Sequence, residues 1–492
     1  MDDNNNADDV RQSLYEEFLS EVVKAGNPEA FFDETDLIEI YDYSSDMDNY
    51  IAKMEVLLYG ARHYPDSQAL ATRRAWFYSS FGEMEAAAEL NSRVSNGGVL
   101  NELLKLRADG ATDSAETRRR LDGIVAATTD FADEELIQLV DFCAENNMLG
   151  WVEDNYALVK SKCSYPQTFI YEYANRCEDL GDAAKAVTLF EELTMLEPFT
   201  LDFWERLAGA QYRAEQHEAA LSSADYALAI NPDSVEAIRI KGMAMYALRR
   251  DMARIIELME PLVANPQAIE SDLSVLVGAM VETGRAEEAV ERIRIYLDTH
   301  PVTRNPLGLL ISLNPEGAAP YLKTYEQQLA QSGGTLISWA HDEYLEGNIE
   351  LASRIVQAYL ANHVPDSADA STAAEILFRS ELFAHVIDVC SKACADNSAE
   401  CLSQPGFTFA YILSLIRMHR TEEALKVAAE ALQINMFAIK ASGRTFMPPV
   451  MGLSPVGHNM LMRGFVTFLY TVIHDISDPG TEVDCDSYIP TP

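Results

Sequence analysis

The sequence predicts an all-α protein built from about nine to ten helix–turn–helix repeats, and three observations support this. Prolines recur at a fixed interval, because Pro198, Pro232 and Pro266 are evenly spaced along the chain (232 − 198 = 34; 266 − 232 = 34). Apolar residues between these prolines recur every three to four positions, which is the spacing of one helix face. Glycines recur between the prolines, where a turn would join the two helices of a unit.

The clearest repeat covers residues 201–234. Trp204, Leu207 and Ala208 share one face of its first helix. The corresponding face of its second helix carries Ala220, Ala224, Ala227 and Leu228. Small residues at these positions allow two antiparallel helices to approach closely. Pro232 then ends the unit, because proline cannot continue a helix.

This pattern resembles the tetratricopeptide repeat family, whose 34-residue unit is a helix–turn–helix. The residues that carry the resemblance are Trp204, Leu207, Ala208, Tyr212, Ala220, Ala224, Ala227 and Pro232. The resemblance implies a right-handed α-solenoid. It also implies a non-enzymatic scaffold or adaptor that binds other proteins.

The repeats are not equally regular along the chain. We expect regular repeats over 167–302, divergent repeats over 11–166 and further repeats over 303–435. Gly181, Gly284 and Gly347 mark the expected turns between paired helices. Three prolines interrupt helix formation between 302 and 320, which is therefore either a shortened repeat or a joint where the array bends.

The two ends differ from the repeats in composition. Residues 1–10 hold little that can be buried, so the sequence predicts a disordered acidic tail there, followed by a short amphipathic helix. Residues 443–476 predict an extended connector and a helix that caps the last repeat. A helix that binds a partner is the alternative. Residues 477–492 are predicted to form a loose tail.

The chain has a large acidic surplus. Its 37 basic and 78 acidic residues give 37 − 78 = −41. Such a surface repels phosphate, which argues against nucleic acid and anionic membranes as partners. The surplus either favours a basic partner or simply keeps the protein soluble.

The cysteines and the amino terminus indicate an intracellular protein. The seven cysteines are odd in number and lack the spacing of a disulfide framework. The first residues show no basic region followed by an apolar run, so no signal peptide is predicted. We therefore expect a cytoplasmic location.

Two local clusters have alternative interpretations. Cys390 and Cys394 lie one helical turn apart and, with His385 and Cys401, would supply donors for zinc. Packing as small apolar side chains is the favoured interpretation, so no metal or cofactor is predicted. The three consecutive arginines at 118–120 are expected to pair with nearby carboxylates, with an anionic ligand as the alternative.

No motif predicts an enzyme. The phosphate-binding, zinc-protease, hydrolase and Cys-x-x-Cys redox motifs are absent from the sequence. Adjacent carboxylates such as Glu191 and Glu192 point apart on a helix and are expected to be solvated. We therefore predict no catalytic residues.

The resemblance implies that the first helices of successive repeats line a concave peptide-binding groove. The family's groove positions correspond here to Tyr171, Asn175, Glu178, Asp202, Glu205, Tyr212, Glu236, Arg239 and Tyr246. This groove is acidic and aromatic, which favours a basic peptide or protein segment as ligand. The lysines with which some family members grip a chaperone carboxylate are missing. An alternative function is a structural or oligomeric assembly component that contacts its partners through stacked ends or the C-terminal helix.

Overall fold

A computed structural model describes residues 11–27, 30–46, 49–94, 98–441 and 455–477. These residues contain helices and no strand, which confirms the predicted all-α fold. The predicted acidic tail 1–10, the connector at 443–454 and the tail from 478 onward lie outside the described residues. The chain divides into two compact units, Met1–Leu248 and Arg249–Pro492.

The first unit is a succession of antiparallel helix pairs preceded by one short helix. Helix α1 covers 11–18 and continues as a π-helical turn, Leu19–Lys24. The other helices are α2 Glu34–Asp46, α3 Tyr50–His63, α4 Gln68–Ser80, α5 Met84–Ser92, α6 Val99–Ala108, α7 Ala115–Ala127, α8 Asp133–Glu145, α9 Leu149–Lys160, α10 Pro166–Asp179, α11 Ala183–Leu196, α12 Leu201–Arg213, α13 His217–Ile230 and α14 Val235–Ala247. Within this unit, the even-numbered helices from α2 to α12 are the first helices of the pairs, and α14 follows the last pair in the corresponding position.

The second unit continues the helical pattern. Its helices are α15 Met252–Val263, α16 Glu270–Glu282, α17 Ala286–Thr299, α18 Arg304–Leu313, α19 Ala319–Gln331, α20 Leu336–Leu345, α21 Ile349–Leu360, α22 Ser367–Arg379, α23 Phe383–Leu402, α24 Pro405–Arg417, α25 Thr421–Ala441 and α26 Pro455–Ser477. A 3-10 turn, Glu316–Ala318, lies between α18 and α19. Residues 302–320 therefore hold a short helix, a 3-10 turn and the start of α19, and the choice between a shortened repeat and a joint stays a prediction.

A left-handed residue joins the two helices in many of the pairs. Gly181, Gly284 and Gly347 have φ of +82°, +77° and +90°, so the predicted turn glycines are confirmed. Asn147 and Glu215 adopt the same conformation at φ of +58° and +59°, at equal sequence distances on either side of Gly181 (181 − 147 = 34; 215 − 181 = 34). Residues other than glycine rarely adopt this conformation, so the repeat geometry imposes it at these positions.

Small residues form the contact between neighbouring helices in the clearest repeat. Ala208 on α12, Ala220 and Ala224 on α13 and Ala244 on α14 are fully buried in one cluster. Methyl side chains at the crossing let the three helices pack closely, while Tyr212 and Met243 fill the margin of the cluster. The predicted packing role of the alanines is thus confirmed.

An aromatic cluster closes the amino-terminal end of the first unit. Phe18 of α1 is fully buried, and its ring centroid lies 5.3 Å from that of Phe32 and 6.0 Å from that of Tyr59. All three pairs of rings meet edge to face, which is a favourable arrangement for aromatic side chains. The predicted amphipathic helix therefore covers apolar surface that the first helix pair would otherwise expose.

Helix α26 packs one apolar face against the last helix pair. Leu469 and Val472 are fully buried, whereas Tyr470 between them is 52% exposed. The Phe468 ring lies 5.0 Å from that of Phe409 on α24. These are the contacts that a capping helix requires, and capping stays our prediction for this helix. No helix in the described part of the chain is both long and apolar enough to cross a bilayer.

The left-handed turn gives a test of the repeat geometry. We expect Glu215→Gly to stabilise the protein by up to about 1 kcal/mol, because glycine adopts positive φ without the steric cost that glutamate bears. Ser222→Gly, in the exposed middle of α13, is the control and should cost about 0.5 kcal/mol. Urea unfolding measures both changes. Destabilisation by Glu215→Gly would contradict the left-handed turn.

The prediction that α26 caps the last repeat can be tested at two neighbouring residues, one buried and one exposed. Leu469→Ala should destabilise the last repeats by about 2–5 kcal/mol, because it leaves a cavity against α24 and α25. Tyr470→Ala on the exposed side should change stability by less than about 0.5 kcal/mol. Hydrogen exchange of α24 and α25 reports the local effect. Equal exchange in the two variants would mean that α26 does not seal this end.

Candidate protein-binding face

The nine residues predicted to line the groove all lie on α10, α12 and α14, which occupy the first-helix position one after another along the first unit. We call the solvent-facing side of these helices the first-helix face. Ion pairs and ring contacts join neighbouring first helices across it, so its side chains belong to one surface. The contacts of each predicted residue show what this surface offers to a ligand.

Tyr171 lies at the border between the first-helix face and the core. Its ring centroid is 6.1 Å from that of Phe190 and 6.0 Å from that of Phe203. The guanidinium of Arg206 lies over the same ring, 5.9 Å from its centroid. Burial, followed by the charge of Asp202, raises the pKa of the Tyr171 hydroxyl. Tyr171 is thus a fixed aromatic surface and stays uncharged at neutral pH.

Three of the predicted acids are paired with arginines. Arg213 on α12 binds Glu178 on α10, whose side chain is only 11% exposed. Arg206 lies 3.7 Å from Asp202 one turn earlier on the same helix. Arg239, the predicted basic residue, binds Glu236 on α14. The face therefore carries alternating charges, with much of its acidic character neutralised from within.

Glu205 contributes to a helix terminus. Its carboxylate accepts a hydrogen bond from the Ser234 hydroxyl. The Ser234 oxygen in turn accepts one from the backbone N–H of Ala237, at 3.0 Å, and so caps the start of α14. The same arrangement occurs at Ser67, which caps α4 and donates to Glu34 at 2.6 Å. Glu205 thus links two successive repeats.

The remaining three predicted residues, Tyr212, Asn175 and Tyr246, differ in how many contacts their side chains make. Tyr212 packs at the turn, with its ring 5.1 Å from that of His217. Asn175 and Tyr246 are half-buried on α10 and α14. Within the described residues, the side chain of Asn175 has no hydrogen-bond partner. Its amide therefore presents both a donor and an acceptor to the surface.

An acidic cluster beside these residues was missed in the sequence. Arg176 on α10 binds Asp141 on α8 at 2.7 Å and Asp179 on its own helix at 2.8 Å. The charges of Asp141 and Asp179 both act on Glu172, which lies on α10 one turn before Arg176. Burial, followed by the charge of Asp141, raises the pKa of the Glu172 carboxyl above its usual value. The spacing of Asp141 and Arg176, close to one repeat (176 − 141 = 35), is the signal that would have placed them together.

A second group of charges lies on the first helices near the amino terminus. Arg73 on α4 donates two hydrogen bonds to Asp42 on α2, at 3.0 and 2.9 Å. Its guanidinium also lies 5.8 Å from the Tyr41 ring centroid. Burial, followed by the charge of Asp42, raises the pKa of Glu134 on α8. Charged groups from α2, α4 and α8 therefore influence one another.

The arginine cluster at 118–120 pairs internally. Arg118 binds Asp113 at 2.8 Å, Arg119 lies 3.1 Å from Glu116, and Arg120 binds Asp109 at 2.7 Å. The expected pairing with nearby carboxylates is thus confirmed. These guanidinium groups hold the start of α7 and the loop before it.

The cysteines of α23 pack as apolar side chains. Cys390 and Cys401 are buried, and burial raises the pKa of each thiol. The described residues contain no group of three or more histidine, cysteine or acidic side chains placed to hold a metal ion. The packing interpretation therefore accounts for these residues.

Glu172 allows the charge distribution of the face to be tested by pH. A raised pKa in the folded state means that folding favours the neutral carboxyl, so stability rises as the pH falls through that pKa. We expect Glu172→Gln to be more stable than the wild type at about pH 7.5, and the difference to shrink towards about pH 4. Urea unfolding at both pH values measures it. Glu191→Gln, an exposed site on α11, is the control, and a loss of stability in Glu172→Gln at about pH 7.5 would contradict the like-charge environment.

Comparison with known proteins yields remote structural likenesses. No family model and no curated protein matches the chain. A tetratricopeptide repeat protein from Parabacteroides merdae is 12% identical with a TM-score of 0.33, over 56% of this chain and 96% of that one. Yeast Tom70 is 13% identical with a TM-score of 0.28, over 97% and 96% of the two chains. A chain of the APC/C hetero-tetramer Cut9–Hcn1 is 11% identical with a TM-score of 0.26, over 93% of this chain and 94% of that one.

Because these TM-scores are below 0.5, we base the classification on the chain's own helices and turns. Its helices alternate in antiparallel pairs, the left-handed turn residue returns at the period of the prolines (215 − 181 = 34), and small residues occupy the helix crossings. The described residues thus form an α-helical repeat array with the period and turns that the sequence predicts.

Proposed function

We propose that the chain is a non-enzymatic scaffold that binds a peptide or protein segment along the first-helix face of α10, α12 and α14. The observation that carries this proposal is Asn175, whose half-buried amide has no hydrogen-bond partner within the described residues. A side-chain amide pairs well with the backbone of an extended peptide, since it offers one donor group and one acceptor. Such a contact is independent of the peptide's sequence.

The neighbours of Asn175 support the same proposal. Tyr171 lies one turn before it on α10 and is held by Phe190 and Phe203. Fixed aromatic side chains provide contact area at a small cost in conformational entropy. Glu178 and Arg213 follow within the next turn and on the next first helix. An apolar anchor, a backbone-binding amide and a charged pair are thus placed in sequence along one surface.

The charges favour a ligand that carries basic residues. Asp141 and Asp179 pair with Arg176, and Glu172 feels both of these acids as well as Arg176 and Arg206, so three carboxylates face two guanidinium groups. Burial, followed by the charge of Asp141, raises the pKa of Glu172, and a lysine or arginine of the ligand would offset the part that comes from charge. Such a contribution is electrostatic and should weaken with salt, because the screening length falls from roughly 8 Å at 0.15 M to roughly 3 Å at 1 M.

The proposal is tested by placing a photo-crosslinking amino acid at Asp202, an exposed position of the first-helix face, and irradiating the protein in native cell extract. We expect a cross-linked partner, because position 202 would lie against the bound segment while Asn175 stays intact. The matched control carries the same group at Ser222, which is exposed on the second helix α13. Asn175→Ala should lower capture of the cross-linked partner by about tenfold, the usual effect of losing a partly buried hydrogen bond.

Two results would contradict this function. One is an equal yield of cross-links from positions 202 and 222, which would indicate random encounters. The other is unchanged capture by Asn175→Ala. A thermal melt of each variant shows that a reduced yield does not come from unfolding.

A further inference from the structure

A second exposed surface lies at the end of the first unit's helices where one pair passes to the next. Tyr165 and Phe199 lie in two such turns, and Met195 and Tyr226 lie near the ends of the second helices α11 and α13. The four side chains of Tyr165, Phe199, Met195 and Tyr226 are 73%, 79%, 80% and 59% exposed, in that order. We call these four residues the apolar edge. We propose that the apolar edge is a docking site for a basic, apolar segment of a partner protein, distinct from the first-helix face.

Hydrogen bonds between successive turns make this edge one surface. The Phe131 backbone N–H donates to the Lys162 carbonyl oxygen at 2.9 Å, and the Ser164 hydroxyl donates to Asp130 at 2.8 Å. The Gln167 amide then donates to Glu197 at 2.7 Å. These contacts place the turn that carries Tyr165 beside the turn that carries Phe199.

The contact continues to the next repeat through Trp204. Its indole N–H donates to the Pro198 carbonyl oxygen at 2.9 Å, immediately before Phe199. Its ring stacks on that of Tyr226, with centroids 4.6 Å apart and an interplanar angle of 22°. Tyr226 is therefore held in place while most of its ring stays exposed. The edge thus has a fixed aromatic end.

The four side chains of the apolar edge are large, apolar and mostly exposed to solvent. A single exposed apolar residue is ordinary on a protein surface, but several on adjoining turns form a patch of the kind that marks an interaction site. Tyr165 and Phe199 occupy equivalent positions in successive repeats (199 − 165 = 34). The repeat geometry therefore presents two aromatic rings side by side to solvent.

The charges of the surrounding turns identify the kind of segment that fits. The turns at 128–132, 161–165, 197–200 and 231–234 contain Asp130, Glu197, Asp233 and one basic residue, Lys162. Asp130 and Glu197 accept hydrogen bonds from neutral groups, and no cation pairs with any of the three acids within the described residues. The acids thus keep their charge, and a ligand with apolar and basic side chains is complementary to the edge.

The same charges argue against two other occupants. A second copy of this chain would bring its own net charge of −41 to an acidic edge. An anionic bilayer would meet the same repulsion. A basic segment of another protein gains from both the apolar and the charged contacts, so it is the occupant that the edge fits.

The apolar edge and the first-helix face are separable in experiments because they lie at different parts of α10. Tyr165 immediately precedes α10 and Leu180 immediately follows it (180 − 165 = 15). At 1.5 Å per residue the two positions are about 22 Å apart. Leu180 is 57% exposed at the opposite end and serves as the matched control.

The test uses the full chain and three fluorescent peptides of about 18 residues, the length of five helical turns. The first alternates leucine and lysine at helical spacing, the second has serine for every leucine, and the third has glutamate for every lysine. Fluorescence anisotropy at about 0.15 M salt measures the affinity. We expect the first peptide to bind at least about tenfold more tightly than either of the others, because only it matches both the apolar and the acidic character of the edge.

Variants then locate the binding. Combined Tyr165→Ser, Met195→Ser and Phe199→Ser should weaken binding of the leucine–lysine peptide by about tenfold or more. Asp233→Lys keeps the apolar residues and should also weaken it, whereas Leu180→Ser should not. Because these five altered residues are exposed, thermal melts should match the wild type.

Three outcomes would overturn the proposal. In the first, the triple variant binds the leucine–lysine peptide as tightly as the wild type. In the second, the wild type shows a mass that rises with concentration and the triple variant does not, so that the edge joins copies of this chain. In the third, the wild type but not the triple variant binds phosphatidylserine vesicles. A failure of the cross-linking experiment at Asp202 would affect the first-helix face alone.

Discussion

The fold depends on one constraint, which is that no helix pair can bury its apolar surface alone. Ala208 and Ala224 belong to one helix pair, yet both are fully buried only because Ala244 and Ile240 of the next first helix lie against them. Each pair therefore supplies the cover for its neighbour. The ends need separate covers, and Phe18 of α1 and Leu469 of α26 provide apolar contacts there.

The arginines connect this packing to the surface that we propose for binding. Arg176 and Arg213 each reach a carboxylate on the preceding first helix, at Asp141 and Glu178. The same groups thus hold successive helices in register and determine the charge of the first-helix face. A basic ligand would have to share these carboxylates with the protein's own guanidinium groups. If the proposed ligand binds there, its binding and the alignment of α8, α10 and α12 depend on the same carboxylates.

The sequence predicted the fold well because period, turns and packing are local properties. Pro198, Pro232 and Gly181 mark the ends and turns of helices without reference to distant residues. The candidate site was harder to predict because its charges depend on partners one repeat away, as Glu178 depends on Arg213. Glu205 shows the same difficulty. The sequence placed it in the groove, but nothing in the sequence indicated that its carboxylate would accept a hydrogen bond from Ser234, the capping residue of α14. No motif predicted the apolar edge at Phe199, because the exposure of a side chain depends on the three-dimensional packing.

The left-handed turns have a consequence for how such a chain diverges in sequence. Glu215 occupies the position that glycine holds at Gly181, at a cost of about 1 kcal/mol that falls on one turn. Because each pair contacts mainly its neighbours, that cost stays local, and other pairs neither compensate for it nor suffer from it. Landmark residues can therefore be lost one at a time, in different repeats, while the backbone stays the same. A helical array of this kind loses its sequence signature long before it loses its shape.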